Sequence, residues 1–528
     1  MSSSVKLTNI AVIFCRVLAC SLISFVFLVT VYRANVQSVA HDEALTYEWF
    51  LDGGVYRVLA FNSTNHVLFT IIAKLFVKLL GTKELYLRAP SLIGAAGYLT
   101  FTYLLCRKLF GDGILLLLSL AMLCLNPLVM DFMAAARGYS LGMAFLAAGI
   151  YVLARLIDRG TFNPDDPAGH RDCAIASIFL ALSVAASLTN LFPAASLALA
   201  FLAIAFEWPP DFGPLGARRL RIFAKYFIAV GVFIGLVILW PFLIQARPAQ
   251  FHMGIPQASD ALRDLFNSSF LYKWTGDVYS PSLGAVPPSP GSWQQEVSNS
   301  GVYVFFPLVF LFVLIGLIPV FRSSIESRQR ETAYCRFFGV AAIACVVLTV
   351  LSHVLLNVNY PVSRTCLYFI PLFTISCVLV GRELFFRFPR YHLRPVGLII
   401  AAAVLFDYAA SLNTEYFRYN AYDVISRQLF LSISGDAQAR GLKTVRVGGT
   451  WWYEPELNFY RRRYNADWMK PYDVKDRSYF WESPNALVPA EYDYFVFTPA
   501  SDPGLTGPRV RTIFHDRVTE LTVTAMDK

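Results

Sequence analysis

Charge is scarce in this chain. Asp, Glu, Lys and Arg make up 15% of its 528 residues, against 56% for the hydrophobic set, and mean hydropathy is +0.51. A soluble domain carries about 25% charged residues, so the scarcity excludes an ordinary soluble protein and points to a chain that crosses a bilayer many times. Cysteine is missing from the polar stretches. All nine (Cys15, Cys20, Cys106, Cys124, Cys173, Cys335, Cys345, Cys366 and Cys377) fall in or beside apolar segments, which implies small core residues and no disulfide framework. HExxH, paired CxxC, Walker A and GxSxG patterns are absent, so zinc-protease, ATPase and serine-hydrolase chemistry has no basis here. There is no solenoid-period repeat and no low-complexity tract. Acids inside apolar runs are few, Asp407 being the clearest, which weighs against the carboxylate relay of an ion-coupled transporter. The net charge of +9 is spread over short loops between apolar runs, so nucleic acid is not the partner it implies.

What the chain has is apolar runs. Crossing about 30 Å of hydrocarbon takes roughly 20 helical residues. Candidate spans lie at 9–32, 89–109, 113–132, 138–157, 173–189, 192–207, 226–246, 302–321, 337–357, 366–382 and 395–411, eleven in all. The first run, Ile10 to Val31, is too long for a signal-peptide core and is read as an uncleaved span. Lys and Arg crowd one set of connecting loops: Arg107 and Lys108; Arg155, Arg159 and Arg171; Arg218, Arg219, Arg221 and Lys225; Arg322, Arg328, Arg330 and Arg336; Arg382, Arg387, Arg390 and Arg394. The alternate short connections carry only Arg137 and Arg364. That asymmetry places the N-terminus in the cytoplasm and the C-terminus outside.

Segment 65–82, with Lys74 and Lys78 one turn apart, reads as an amphipathic helix lying in the outer interface rather than as a twelfth span. Two long outer loops follow from this topology, 33–88 and 247–300. The second holds VPPSPGSW, Trp274 and Trp293 and reads as a lid or substrate-binding loop. From Asn413 the character changes. Short β-like runs (KTVRVGG, YDYFVFTP, TELTVTA) and a helix-like WWYEPELNFYRRRYN predict a small extracytoplasmic α/β domain over 413–528, beside an all-α membrane domain over 1–412. The run Arg461-Arg462-Arg463 reads as a solvated helix face. Asn62-Ser63-Thr64 and Asn267-Ser268-Ser269 are outward glycosylation patterns.

The candidate chemistry collects at the outer surface. His41-Asp42-Glu43 sits just beyond the first span, and ionised groups at a membrane boundary are costly to desolvate, so the pair is a site candidate. On the same side fall His66, Arg88, Arg137 and Arg364. Acids facing several cations suit transfer of a group from an anionic leaving group to a hydroxyl, with a carboxylate as base and guanidinium forks on the departing phosphate. Arg88, Arg137 and Arg364 are the phosphate-binding candidates, and His66 the acceptor- or donor-positioning one. Tyr47 and Tyr139 read as interface aromatics that position donor or acceptor, and His353 as the cap of a buried polar contact. The Asp-Glu pair is chemically able to hold a divalent ion or to work without one, and the sequence leaves this open.

HDEALTYEW after the first span, NHVLFTIIAKLFVKLLGTKELYLRAPSL leading into the second, and ARGYSLGM opening the fourth resemble the GT-C superfamily of polyprenyl-phosphate-dependent glycosyltransferases, near its protein O-mannosyltransferase and aminoarabinose-transferase branch. The likeness covers roughly residues 8–160 and continues more weakly to about 411. It implies a GT-C-like fold and an inverting transferase acting at the extracytoplasmic face. Asp42 would match the general base, Glu43 the acid that places the acceptor, and Arg88 the arginine near the lipid phosphate. The implied partners are a polyprenyl-phosphate sugar, membrane lipids and an acceptor protein, glycan or lipid, with no nucleotide. The sequence departs from the family in Val-Leu after His66, where prolines are usual, and it lacks a trefoil insert. A bacterial inner membrane is the expected location. The alternative reading is a transporter or flippase of a lipid-linked sugar, which would bind the same headgroup without a base.

Overall fold

The computed structural model describes residues 2–62, 64–159, 163–205, 214–246, 254–272, 291–322, 329–388, 393–472, 491–499, 504, 508–517 and 519–526. The chain is mainly helical. Its helices are α1 (Ser2–Val36), α2 (His41–Thr46), α3 (Val67–Leu80), α4 (Glu84–Phe110), α5 (Ile114–Cys124), α6 (Pro127–Ala134), α7 (Tyr139–Asp158), α8 (Pro167–Ala186), α9 (Leu191–Ala205), α10 (Pro214–Phe223), α11 (Ala229–Leu243), α12 (Ala258–Phe270), α13 (Trp293–Ser300), α14 (Phe306–Arg322), α15 (Gln329–Leu356), α16 (Phe369–Arg387), α17 (Leu393–Ala410), α18 (Ser426–Ala439) and α19 (Glu454–Arg463). Among the described residues eight helices are long and apolar enough to cross a membrane, or nine if the bent pair α5 and α6 is one span. All eleven expected runs contain helix. Two of them, 192–207 and 395–411, fall outside that count as the 15-residue α9 and the 18-residue α17.

The expected straight span at 113–132 breaks instead. Asn126 accepts the Val129 N–H at 3.2 Å and Pro127 occupies the first helical turn, so a new helix starts there, bent by 60° from the one before. Helix α7 is the hub of the bundle, with 83% of its apolar window buried against 11% for α1. It packs on α4 and α8. Small residues allow this approach: a Cβ on Gly94 of α4 would lie 2.5 Å from the Leu141 backbone nitrogen of α7. Segment 65–82 is α3, whose 14 residues bury Val67, Phe69, Thr70 and Ala73 and expose Ile71, Leu75 and Leu79. Of the loop 247–300, α12 and α13 are helical, while Trp274 and most of VPPSPGSW lie outside the described residues.

The C-terminal part holds a four-stranded sheet of β1 (Val447–Gly449), β2 (Tyr494–Phe497), β3 (Val510–His515) and β4 (Thr522–Met526), in the order β1-β2-β4-β3. β1 runs parallel to β2, and the other pairs are antiparallel, with Val447 opposite Tyr494 and Val496 opposite Val523. The three β-like runs seen in the sequence are β1, β2 and β4. β3 had no clear signal, since it is an edge strand whose register shifts between Thr512 and Phe514, and the bulge spoils the alternation. One apolar cluster joins this sheet to the first outer loop: Val39, Ala44, Tyr47, Phe69 and Leu87 pack with Leu429, Val447, Tyr460 and Val496. The layer therefore sits directly on α2.

Candidate active site

Helix α2 has six residues, too few to hold a helix by propensity. Its N-cap is Ala40, which has no side-chain oxygen, so Glu43 reaches back and accepts the Ala40 N–H at 2.8 Å. The same carboxylate accepts the Ala136 N–H and a two-bond fork from Arg88, Nε at 2.8 Å and Nη2 at 2.5 Å. The remaining Arg88 donors go to the carbonyls of Ala34 (3.1 Å), Gln37 (2.9 Å) and Ser38 (2.7 Å). A guanidinium has five N–H donors, and all five are engaged. Glu43 and Arg88 are 1% and 0% exposed. Glu43, expected to place an acceptor, and Arg88, expected to hold a donor phosphate, are here paired with one another and with backbone groups, and not with Asp42. The pair anchors α2 to α4 and to the start of α7.

Asp42, one residue earlier, points the other way. Its carboxylate pairs with the Arg364 Nη1 at 2.5 Å, and its side chain keeps 18% exposure. Arg137 lies beside it, donating from Nη1 to the Asp42 carbonyl (3.2 Å) and to the Thr46 hydroxyl (2.9 Å), with a buried Nε that has no hydrogen-bond partner among the described residues. Burial pushes the Asp42 carboxyl up, but Arg364 first, then Arg137 and His41, outweigh it and bring its pKa to about 2. Asp42 is thus ionised at any physiological pH. Arg364 follows Ser363, whose φ of +43° is a left-handed conformation that strains a non-glycine residue by about 1–3 kcal/mol. Asp264 of α12 accepts the Ser363 N–H and faces Arg364 and Arg418, with burial raising its own pKa.

His66 is brought to the same place by Gly138. A Cβ on Gly138 would run into the Ala186 carbonyl and lie 2.7 Å from the His66 Cβ. The His66 Nδ1 lies 2.9 Å from that Ala186 carbonyl. A carbonyl only accepts, so Nδ1 carries the proton and Nε2 presents a lone pair, buried and without a partner among the described residues. Burial first, and Arg137 second, hold its pKa well below the usual value, so the ring is neutral. Tyr139 stacks edge-on against His66 with centroids 4.6 Å apart. Tyr47 does not join this group: it is buried edge-on against Phe459 of α19, 5.3 Å away. The His353 Nδ1 meets the Val358 carbonyl at 3.0 Å, a local turn contact.

Asp42, His66, Arg137, Arg364 and Tyr139 therefore form one cluster around a carboxylate, whereas Glu43 and Arg88 are behind it. The sequence reading missed three buried polar groups that tie the elements together. Asp131 of α6 takes Arg33 at 2.6 Å, the Tyr272 hydroxyl at 2.9 Å and the Arg418 N–H at 2.9 Å, a buried knot joining α1, α6 and the start of the C-terminal part. Its signal was an acid inside an apolar run. Glu84 at the head of α4 receives Arg427 at 2.7 Å, Arg463 and the Tyr460 hydroxyl. Arg462 pairs with Asp52 at 2.6 Å. Arg462 and Arg463 thus dock the C-terminal layer on the membrane part and are not a solvated face. The third group is His41 with Asp423 and Glu456.

Among the described residues no set of three or more His, Cys, Asp or Glu side chains is arranged to hold a metal ion. The Asp42–Glu43 doublet is no metal pair in this geometry, because Arg88, Ala40 and Ala136 occupy the Glu43 oxygens.

No family model matches the chain, and no curated protein matches it. Among solved structures it is similar to ArnT from Cupriavidus metallidurans bound to undecaprenyl phosphate, at 14% identity over 96% of this chain and 97% of that one, with a TM-score of 0.49. It is also similar to the oligosaccharyltransferase of Archaeoglobus fulgidus in complex with Zn and sulfate, at 13% identity over 90% of this chain and 67% of that one, with a TM-score of 0.44. These values assign no residue of this chain a role.

Proposed function

We propose that the chain is an inverting glycosyltransferase that moves a sugar from a polyprenyl-phosphate donor to an acceptor hydroxyl at the extracytoplasmic membrane face, with Asp42 as general base. The observation that carries this reading is the Asp42 carboxylate, partly open and paired at 2.5 Å to an arginine that lies beside a second one. The sequence resemblance adds the donor class. A lipid-phosphate donor keeps its tail in the bilayer and presents the anomeric carbon at the interface. Arg364 and Arg137 face the phosphate, and guanidinium forks match its oxygens. At an effective dielectric of about 20, one such contact at about 4 Å is worth up to ~4 kcal/mol before desolvation. Only the part that strengthens as charge grows on the leaving phosphate raises the rate.

The ion pair sets an order of events. While Arg364 holds Asp42, a carboxylate with a pKa of about 2 is a weak base. A donor phosphate competes for Arg364, and as that contact shifts the carboxylate becomes more basic beside the incoming hydroxyl. The acceptor oxygen then attacks the anomeric carbon, its proton goes to Asp42, and the bond to the phosphate oxygen breaks with the electron pair leaving on the phosphate. The neutral His66, through the Nε2 lone pair, accepts a hydrogen bond from a hydroxyl of donor or acceptor and steers it.

The test is transfer from labelled polyprenyl-phosphate sugars to a lysate of acceptors by wild type and by Asp42→Asn. Transfer by wild type and its loss in a folded mutant that still binds donor supports the reading. Equal donor binding with no transfer by either protein, across the common donors, favours a transporter of lipid-linked sugar.

A further inference from the structure

The hydrogen bonds at the first turn of α2 lead away from the membrane helices into the C-terminal layer. The backbone N–H of His41 donates to the Asp423 Oδ2 at 2.6 Å. The His41 Nδ1 lies 2.8 Å from the Trp452 carbonyl and 3.1 Å from the Glu456 Oε1. Both partners accept, so Nδ1 carries a proton shared between them. The group is sealed: His41, Asp423 and Glu456 are 8%, 2% and 0% exposed. Trp451 and Trp452 are stacked on one another and flank the ring, with centroids 5.7 and 5.9 Å from it. A buried ion pair this far from water contributes little to net stability against an apolar substitute, so its presence calls for another reason. The next residue along the chain is Asp42.

We propose that Glu456 and Asp423 are positioning residues for Asp42: the C-terminal layer grips His41 by its backbone N–H and its ring, and so fixes the first turn of α2 with the Asp42 carboxylate facing Arg364 and Arg137. The inference rests on Asp42 as the base. It gives the C-terminal layer a part in the reaction through its hold on α2.

His41 faces Glu456 from α19, Asp423 from the turn before α18, and Asp42 on its own helix. Burial works against a charged imidazole, but the attraction and hydrogen bond of Glu456, with Asp42 behind it, win and raise the His41 pKa. Burial and the neighbouring Glu456 push the Asp423 pKa well above its ordinary value. The imidazolium in turn is one of the groups holding Asp42 ionised, after Arg364 and Arg137. A raised histidine pKa stabilises the fold fully below about 6.5, and that contribution is lost as pH rises through the folded value.

These assignments separate three substitutions that a merely structural role would not. Asp423→Asn keeps an acceptor for the His41 N–H in nearly the same shape, so transfer stays within about twofold of wild type. Asp423→Ala removes the acceptor, and kcat falls about tenfold or more with donor KM little changed. Glu456→Gln strips the counter-charge from His41, lowers kcat, and moves the acid limb of the pH profile upward as Asp42 loses a neighbouring cation. Histidine-selective 15N NMR of the full chain in nanodiscs, with the His41 signal assigned by His41→Gln, reads the same relay without substrate. The His41 titration midpoint falls in Glu456→Gln, and falls by less in Asp42→Asn, which removes the weaker of the two attractions. An unchanged His41 midpoint in Glu456→Gln, or equal kcat in Asp423→Ala and wild type, would overturn the proposal. Because the NMR arm needs no turnover, a shifted midpoint with transfer surviving in Asp42→Asn would instead discard Asp42 as the base.

Discussion

Two carboxylates stand side by side in the sequence and end in opposite surroundings. Glu43 is enclosed by Arg88, two backbone N–H groups and no solvent, and every donor of its partner is engaged. Asp42 meets one guanidinium end-on, keeps partial exposure, and has beside it an arginine nitrogen and an imidazole lone pair with no partner among the described residues. Saturation marks the residue that builds the site, and incomplete satisfaction in a buried place marks the residue that waits for a ligand. Chemical type and position in the chain do not separate the two acids. Their partners do.

The largest effect that would break this contrast is on the structural side. Arg88→Ala leaves Glu43 charged, buried and unpaired, which costs about 3–5 kcal/mol and should abolish a cooperative melt in detergent. A mutant that melts like wild type would mean that Glu43 finds water, and that the anchor is weaker than drawn. Next comes the outer pair. Arg364→Lys keeps the charge but not the planar fork, so transfer should fall by about tenfold or more, chiefly through donor KM, while the melting temperature moves little. A drop in melting temperature without a change in donor KM would place Arg364 with the anchors. The smallest expected effect belongs to Tyr47, whose ring packs on Phe459 outside the cluster. Tyr47→Phe keeps that packing and should stay within about 0.5 kcal/mol in stability and about twofold in transfer. A large loss of transfer would return its hydroxyl to the site.

Much of the architecture was legible because its signals are local. Apolar runs give the helices, and the Lys74–Lys78 spacing gives the amphipathic α3. The Asp-Glu doublet and the isolated Arg137 and Arg364 gave the cluster, because charge at a membrane boundary is rarely placed without use. The saturation of Arg88 is a tertiary feature. Its five acceptors come from Ala34, Gln37, Ser38 and Glu43, about fifty residues upstream, and no spacing rule foretells that they exhaust it. The grip on His41 was beyond reach for the same reason, since Asp423 and Glu456 lie more than three hundred residues away in sequence. Asp131 was legible and passed over: an acid at the broken end of an apolar run carried the same signal as Asp407.

The most direct test is to make the same chemical change at the two neighbouring acids, Asp42→Asn and Glu43→Gln, and to measure melting temperature, donor binding and sugar transfer for each. The contrast between the two acids predicts that Asp42→Asn still folds, melting below wild type because the attraction of Arg364 and Arg137 for the carboxylate is lost, and that it binds donor but loses transfer by about 10²–10⁴-fold, far more than its folded fraction falls. It predicts that Glu43→Gln lowers the melting temperature first and loses transfer only in proportion to the folded fraction. The reverse pattern, a stable Glu43→Gln without transfer and an active Asp42→Asn, would contradict the assignment of the base.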